Sequence, residues 1–249
     1  MEINLVLSGG GARGLAHLGI IKAIRENGIL IKRISGVSTG AVVGAFTAAG
    51  FSPEETLKIF MENKLMYQIR PVFNAGLFGL NKWEKILMKY FPGNSFEELS
   101  IPLTVIATDI NNCESVYFSS GELVKPLLAS CSIPGFFEPV LLNQRQLVDG
   151  GVLNNLPVEP FLRETEKIVA LHVNPIVHES EIDSALKIFE RSVQLSIREN
   201  TDNRKKLAHL NLEPEALYPF QLFDLKDAEE IFNIGYAYAK GCQKEFEKL

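Results

Sequence analysis

Ser38 lies in the pentapeptide Gly36-Val37-Ser38-Thr39-Gly40, which joins an apolar stretch to a helix-like run of small residues. This G-x-S-x-G spacing is typical of a nucleophile elbow, in which a sharp strand-to-helix turn exposes the serine hydroxyl. Gly36 and Gly40 permit the turn, and the helix that follows directs its positive N-terminal end at the hydroxyl. The pattern therefore indicates a serine nucleophile.

A second cluster of glycines, Gly9-Gly10-Gly11-Ala12-Arg13-Gly14, follows a short apolar run and opens a helix-like segment; we call Gly9–Gly14 the glycine loop. Its spacing fits the G-x-G-x-x-G dinucleotide fingerprint, which also requires an acidic residue about 20 positions on. No Asp or Glu lies between Ile29 and Pro53, and no Gly-Lys-Ser/Thr follows as in a P-loop. The sequence therefore disfavours both kinds of nucleotide site.

The same loop geometry suits a different anion. Successive N–H groups ahead of a helix N-terminus can hold a transient oxyanion as well as a phosphate. The glycine loop is therefore a candidate oxyanion hole, with Gly9, Gly10 and Gly11 as donors, Arg13 in support and Gly14 completing the loop. A tight turn without a ligand is the alternative interpretation.

A serine hydroxyl also needs a base that accepts its proton, and histidine is the usual choice. The chain has four histidines, at positions 17, 172, 178 and 209, and none shows a partner pattern. His172 fits the Ser…Asp…His order of an α/β-hydrolase, but Ser38 lies earlier in the chain than the elbow of that fold. Asp149 is the better candidate because it ends an apolar segment and because Gly150 and Gly151 leave its carboxylate accessible.

The composition is ordinary for a globular protein of 249 residues, with 46% hydrophobic and 22% charged residues. The net charge of −5 gives no basis for nucleic-acid binding. Cys113, Cys131 and Cys242 have no metal-ligand spacing, so we expect reduced, mostly buried thiols. With no basic leader and no apolar run of about 18–20 residues, we expect a cytoplasmic protein whose contact with lipid is peripheral.

Strand and helix signals alternate along the chain, without repeats, low-complexity segments or linkers. Predicted strands are Ile3–Leu7, Ile29–Val37, Leu103–Thr108, Val116–Phe118, Leu147-Val148 and Ile168–Val173. Predicted helices are Leu15–Glu26, Thr39–Gly50, one starting at Ser52, Asn81–Tyr90, Glu122–Ser130, Ser180–Leu210 and about Asp227–Glu247. The alternation predicts an α/β fold, a three-layer sandwich with a mainly parallel sheet covered by helices on both faces, in one domain over residues 1–249.

Two segments stand apart from this pattern. Leu65–Leu80 mixes apolar residues with Pro71, Gly76 and Gly79, and we expect a loop or short helix that is a candidate lid. The alternative is ordinary packing against the sheet. A basic set near the end of the long helix is expected to form a solvated face; it consists of Arg198, Arg204, Lys205 and Lys206.

Taken together, the glycine loop, the Ser38 pentapeptide and Asp149-Gly150-Gly151 resemble the patatin-like phospholipases. The blocks Ala129–Val140 and Val152–Val158 resemble the family as well, so the likeness runs from about Asn4 to Val173. The motif-bearing core then covers about residues 4–173, followed by a C-terminal helical part at about 180–249. One departure is Asn111-Asn112-Cys113, where the family pattern predicts a turn that contains glycine.

The resemblance implies a lipid acyl hydrolase with a two-residue dyad, in which Ser38 is the nucleophile and Asp149 the general base. It implies an acyl-serine intermediate, N–H donors from the glycine loop, a lipid ester as substrate and neither metal nor cofactor. A thioesterase or transacylase with the same dyad is the first alternative, and a non-catalytic lipid-binding module is the second. The oligomeric state stays open.

Overall fold

The computed structural model describes residues 1–63, 80–178, 182, 185–222 and 225–249. Within them, eight strands form one sheet: β1 Glu2–Leu7, β2 Leu30–Val37, β3 Leu103–Asp109, β4 Glu114–Phe118, β5 Val140–Leu142, β6 Arg145–Asp149, β7 Lys167–Leu171 and β8 Leu210–Leu212. The order across the sheet is β5-β6-β3-β2-β1-β7-β8, with β4 also paired to β3. The five strands from β3 to β8 in this order run parallel, whereas β4 and β6 pair antiparallel to β3.

The two faces of the sheet bury different hydrophobic clusters. Along β1, Ile3, Leu5 and Leu7 belong to the main core, whereas Val6 belongs to a second cluster. β7 alternates between the two clusters in the same way. Because successive side chains of a strand point to opposite faces, both faces of the sheet are covered.

The helices are α1 Ala16–Glu26, α2 Thr39–Ala48, α3 Pro53–Asn63, α4 Asn81–Tyr90, α5 Val124–Ser130, α6 Ala185–Lys205, α7 Ala228–Gly241 and α8 Gln243–Phe246. α1 and α2 contribute to the main core. The second cluster includes Leu156, Val158 and Phe161, and α6 is tied to this segment by an ion pair of 2.6 Å between Arg204 Nε and Glu159 Oε1. The predicted α/β architecture is confirmed.

The C-terminal third departs from the predicted helices. The predicted helix through Leu210 is wrong, because α6 ends at Lys205 and Leu210–Leu212 forms a strand parallel to β7. The expected solvated basic face is also wrong for Arg204 and Lys205, whose side chains are only 16% and 19% exposed and make ion pairs. The predicted final helix breaks at Cys242 into α7 and α8.

The turn at Asn111-Asn112-Cys113 forms without glycine. The N–H groups of Asn111 and Asn112 donate to Asp109 Oδ1 over 3.0 and 3.1 Å, so the carboxylate at the end of β3 shapes the turn. Cys113 adopts a left-handed φ of 54°, the conformation that a glycine would otherwise supply. The departure from the family pattern therefore changes how the turn is stabilised.

The predicted lid, Leu65–Leu80, lies outside the described residues apart from Leu80, which is buried ahead of α4. The three cysteines are free thiols, and the expectation of burial is wrong for Cys113, which is exposed. None of the helices in the described ranges is long and apolar enough to cross a membrane.

Candidate active site

Ser38 occupies the turn between β2 and α2. Its backbone has φ 54° and ψ −129°, a strained conformation for a residue with a side chain. The N–H groups of Ala41 and Val42 donate to the Ser38 carbonyl oxygen over 2.9 and 3.2 Å, so the first turn of α2 begins at the serine. The turn thus has the geometry that the G-x-S-x-G spacing predicts, with the helix N-terminus at the hydroxyl.

Gly36 and Gly40 allow the strand and helix to approach closely at this turn. A Cβ on Gly36 would lie 2.6 Å from the Gly40 carbonyl oxygen, and a Cβ on Gly40 would lie 2.5 Å from the Leu7 carbonyl oxygen. Neither position accepts a side chain without movement of the backbone. The two glycines therefore place the start of α2 directly against β1 and β2.

Asp149 reaches Ser38 along one edge of β3. Val37 pairs with Ile106 and Asp149 pairs with Ala107 on this edge, since β4 pairs with the same two β3 residues from the opposite edge, so the ends of β2 and β6 meet beside each other. The Asp149 carboxylate lies close enough to the Ser38 hydroxyl for the serine to lower the pKa of the carboxyl. Both residues are only 7% exposed. The structure therefore brings together the two side chains that the sequence singled out as nucleophile and base.

Burial determines the acidity of Asp149. It raises the pKa of the carboxyl from its ordinary value of 3.8 to about 6, while the neighbouring Ser38 side chain and the hydrogen bond from the Gly151 N–H moderate the rise. The Gly151 N–H lies 2.8 Å from Asp149 Oδ1. Gly150 packs so tightly against the Ile106 carbonyl that a Cβ would overlap it. A carboxylate with this pKa is ionised at neutral pH and is a stronger base than an ordinary aspartate.

The glycine loop follows β1 and packs against the serine. A Cβ on Gly9 would lie 3.1 Å from Ser38 Cβ. Among the described residues, no protein group accepts a hydrogen bond from the N–H groups of Gly9, Gly10 and Gly11. Unpaired N–H donors beside a buried hydroxyl are an arrangement that can stabilise an oxyanion.

Polar groups hold the glycine loop from behind. Asn174 Nδ2 donates to the Gly9 carbonyl oxygen over 2.6 Å, and the Val173 N–H donates to Ser8 Oγ over 3.1 Å. Gly11 has a left-handed φ of 54° and packs against the Leu222 carbonyl, where a side chain would overlap. The loop is therefore fixed by segments that are far away in the sequence.

The two remaining loop positions also have structural partners. The buried Arg13 donates from Nε to the Phe220 carbonyl oxygen over 2.7 Å and from Nη2 to the Tyr218 carbonyl oxygen over 3.2 Å. Gly14 meets the start of α2, since a Cβ there would lie 2.5 Å from Thr39 Cγ2. Arg13 thus braces the loop against the C-terminal segment, which the sequence analysis did not connect with the site.

Two further neighbours of Ser38 were not identified from the sequence. Ser130 Oγ accepts a hydrogen bond from the Ser38 N–H over 2.8 Å and donates to the Ile106 carbonyl oxygen over 2.6 Å. The Cys131 thiol is buried next to the Ser38–Asp149 pair, and burial together with the Asp149 charge raises the thiol pKa well above its ordinary value. The thiol therefore stays protonated. The only signal for both residues is their place in the block Ala129–Val140.

Asn155 joins the glycine loop to the Asp-Gly-Gly turn. A Cβ on Gly9 would lie 2.6 Å from Asn155 Oδ1, and a Cβ on Gly151 would lie 2.9 Å from the same atom. Asn155 is 8% exposed, and its side chain makes no hydrogen bond with the residues that the structure describes. An unpaired buried amide beside the dyad is available for a ligand.

None of the histidines in the described ranges hydrogen-bonds Ser38. His172, the rival base, has its Nδ1 2.8 Å from Glu213 Oε1. His17 Nε2 lies 2.9 Å from the Ser8 carbonyl oxygen, and burial lowers the pKa of this imidazole to about 4. Both imidazoles therefore bind partners other than Ser38 at the carboxyl edge of the sheet. His172 borders a separate cavity.

The described residues offer no group of three or more His, Cys, Asp or Glu side chains that could hold a metal ion. At the end of β2, where a dinucleotide site needs a carboxylate for the ribose, the chain places Ser38. The donor set around Ser38 therefore suits a neutral carbonyl that becomes negatively charged during reaction.

Comparison with known sequences places this geometry in a family. The family described as patatin-like phospholipase matches residues 5–162. The chain is 40% identical over 165 residues to an uncharacterized NTE family protein of Mycobacterium tuberculosis, covering 64% of this chain and 45% of the relative. It is 35% identical over 171 residues to a neuropathy target esterase of Drosophila virilis, covering 63% of this chain and 11% of the relative. The chain thus spans less than half the length of these relatives.

Solved structures show the same fold at low sequence identity. VipD from Legionella pneumophila superposes with a TM-score of 0.58 and 14% identity, covering 99% of this chain and 67% of VipD. ExoU of Pseudomonas aeruginosa, in a complex with SpcU, gives a TM-score of 0.50 and 15% identity, covering 99% and 52%. The family match includes the glycine loop, the Ser38 turn and the Asp-Gly-Gly turn. The chain belongs to the patatin-like phospholipase family.

Proposed function

We propose that the protein hydrolyses fatty-acyl esters of phospholipids or lysophospholipids, with Ser38 as nucleophile and Asp149 as general base. The observation that carries this proposal is the adjacent pair of Ser38 and Asp149, both 7% exposed, next to the unpaired N–H groups of the glycine loop. Membership of the family supports lipid ester hydrolysis in general. Together these groups supply a nucleophile, a base and oxyanion donors for the reaction.

The first half of the reaction forms an acyl-serine. Asp149 accepts the hydroxyl proton as Ser38 Oγ attacks the ester carbonyl carbon, and the carbonyl oxygen becomes an oxyanion. The N–H groups of Gly9, Gly10 and Gly11 stabilise that charge, each by about 3 kcal/mol if well aligned. The intermediate collapses, the bond to the leaving oxygen breaks, and protonated Asp149 returns its proton to the leaving alcohol.

The second half releases the fatty acid by the same groups. Water attacks the acyl-serine carbonyl, and Asp149 accepts a proton from the water. The second oxyanion forms at the same N–H groups, then Ser38 Oγ leaves and recovers the proton from Asp149. The pKa of about 6 suits both steps, because the carboxylate is ionised at neutral pH yet basic enough to share a proton.

The test combines labelling and turnover. A fluorophosphonate, which reacts with activated serines, is expected to label the wild-type protein but not Ser38→Ala. Hydrolysis of a panel of lysophospholipids, phospholipids and monoacylglycerols is expected to fall by about 10⁴-fold or more in Ser38→Ala and by a similar order in Asp149→Asn. Ser119→Ala, on an exposed loop, is the matched control and keeps both labelling and turnover.

Two results would contradict the proposal in different ways. Labelling and turnover that persist in Ser38→Ala would move the nucleophile elsewhere. Full activity in Asp149→Asn, with loss of activity in His172→Gln, would replace the dyad by a histidine-dependent mechanism. Thermal unfolding of each variant confirms that a loss of activity reflects chemistry rather than folding.

A further inference from the structure

A polar cavity of about 280 Å³ lies beside the glycine loop, at the carboxyl ends of β7 and β8. Asn155 and Asn174, which contact the loop, form one end of its wall. The opposite wall is one face of α6, whose lining residues recur at helical spacing: Gln194, Ile197, Arg198, Thr201, Asp202 and Lys205. A cavity this small and polar suits a head group rather than a fatty-acyl chain.

Two buried side chains present unpaired polar atoms at this cavity. Asn155, 8% exposed, makes no hydrogen bond with the described residues. His172, 5% exposed, hydrogen-bonds the described part of the chain only through Nδ1, which lies 2.8 Å from Glu213 Oε1. Because a carboxylate can only accept, Nδ1 carries the hydrogen, and the neutral ring presents Nε2 as an acceptor. Polar atoms that open onto a cavity without protein partners are available to a ligand that completes them.

The charges around the cavity favour a positively charged ligand group. Lys205 Nζ lies 2.6 Å from Glu213 Oε2, and Arg198 Nε lies 3.4 Å from Asp202 Oδ2, so the cations already have anionic partners. Glu215 also lines the cavity and has no ion-pair partner in the part of the chain that the structure describes. The wall therefore carries an excess negative charge together with the acceptor Nε2 of His172.

The position of the cavity relative to Ser38 matches the length of a phospholipid head. Ser38 follows β2 and His172 follows β7, and β1 alone separates those strands in the sheet. Neighbouring strands lie about 4.8 Å apart, which puts the two ends about 10 Å from each other. An extended glycerol phosphodiester spans that gap between an ester carbonyl and a terminal amine.

We propose that this cavity binds the ammonium-bearing head group of an ethanolamine-type phospholipid or lysophospholipid while the acyl ester lies at Ser38. The inference rests on the proposed lipid hydrolysis and adds a substrate class to it. Glu215 faces the ammonium group, His172 Nε2 accepts one of its N–H bonds, and Asn155 donates to the phosphodiester next to the glycine loop. Head groups that end in hydroxyls, such as glycerol, lack the positive charge that balances Glu215.

The first experiment measures selectivity as a ratio. Lysophospholipids with the same acyl chain and either an ethanolamine or a glycerol head group are compared by kcat/KM. The wild-type protein is expected to prefer ethanolamine by about tenfold or more, since a bond to a charged group typically discriminates to this degree. Glu215→Gln, at an exposed and unpaired position, is expected to bring the ratio close to one, and His172→Gln to lower it. Glu199→Gln, exposed on α6 outside the cavity, is the matched control and keeps the ratio.

The second experiment measures binding without catalysis. Glycerophosphoethanolamine is titrated into Ser38→Ala while the His172 imidazole resonances are followed by NMR, with glycerophosphoglycerol as the comparison. A saturable shift that only the ethanolamine compound causes supports the proposal. If ester hydrolysis depends on Ser38, but kcat/KM is the same for both head groups and the His172 resonances do not shift, only the assignment of the cavity would be overturned. A selective shift in a protein that hydrolyses no ester would overturn the proposed function and leave the ligand class standing.

Discussion

The Ser38–Asp149 site and the polar cavity lie next to each other at the carboxyl edge of the parallel strands, but they are assembled differently. The site is made mainly of backbone: a left-handed serine, close-packed glycines and unpaired N–H groups. The cavity is made of side chains that converge from α6, from the segments that follow β7 and β8, and from the segment around Asn155. Backbone geometry tolerates almost no substitution, whereas side chains on a helix face can change without altering the fold.

This difference suggests a division of labour. In the proposed mechanism, the rigid region fixes where charge develops, and preorganised donors of this kind are most effective when they cannot move. In the proposed substrate complex, the adjacent cavity selects the group that is attached to the ester. Asn155 belongs to both regions, because it contacts the glycine loop and lines the cavity.

Among changes that leave Ser38 and Asp149 in place, the largest effect is expected for Gly9→Ala. The new Cβ would lie 2.6 Å from Asn155 Oδ1 and 3.1 Å from Ser38 Cβ, so the loop and the serine have to separate. Displaced oxyanion donors cost about 10²–10³-fold in kcat. We expect this loss in the steady-state turnover of a simple acyl ester. The unfolding temperature is expected to change little.

The matched control for Gly9→Ala is Gly241→Ala at the end of α7. A Cβ at Gly241 meets no atom within 4 Å, and alanine is a better helix former than glycine. This variant is expected to keep full activity and wild-type stability or better. Full turnover in Gly9→Ala would show that the glycine loop does not need its close approach to the serine.

The same contrast explains what the sequence reveals. The glycine loop, the Ser38 turn and Asp149 could be predicted, because each depends on residues that are adjacent in the chain. The α/β alternation could be predicted for the same reason. The strands Val140–Leu142 and Leu210–Leu212 could not, since three residues are too few to show a period. The cavity could not be predicted either, because no spacing rule links His172 to Glu215 or to α6.

The next effect concerns the stability cost of the buried base. Burial raises the pKa of Asp149 from 3.8 to about 6, so the folded state holds a proton more tightly than the unfolded state between those values. Wild-type stability therefore falls as the pH rises through this window and stays low above it, by about 3 kcal/mol at most. Asp149→Asn, which has no charge to bury, is expected to unfold several degrees higher at pH 8 and to lose this advantage near pH 4. Equal unfolding temperatures at both pH values would contradict a costly buried carboxylate.

Activity should follow the same ionisation in the opposite direction. Only ionised Asp149 accepts the Ser38 proton, so kcat/KM is expected to fall about tenfold for each pH unit below about 6 and to level off above it. An uncharged monoacyl ester with mass-spectrometric detection of the fatty acid avoids titration of the substrate. A break near pH 4 would indicate an aspartate with ordinary acidity and would remove the argument that burial makes it a base.

Glu213 is expected to have the smallest effect on stability. Its ionisation stabilises the folded state, whereas the ionisation of Asp149 destabilises it. Burial opposes its ionisation, but hydrogen bonds from His172 and Lys205 outweigh burial and lower the pKa from 4.5 to about 2. The stability that this carboxylate supplies is present above about 4.5 and is lost as the pH falls towards 2. Because Glu213 is partly exposed, Glu213→Gln is expected to lower the unfolding temperature at pH 7 by only a few degrees, with the difference closing as the pH falls towards 2.

Asp149 and Glu213 differ in whether removal of the carboxylate raises or lowers the unfolding temperature at pH 7. Glu199→Gln, exposed on the same helix as Lys205, controls for the removal of a negative charge. This variant is expected to leave the unfolding temperature unchanged at both pH 7 and low pH. If Glu213→Gln stabilised the protein at pH 7, as Asp149→Asn is expected to do, the His172–Glu213–Lys205 group would also be a strained ionic site. Glu213 would then lower the stability at neutral pH as Asp149 is expected to do, and the two carboxylates would no longer differ in the sign of their effect.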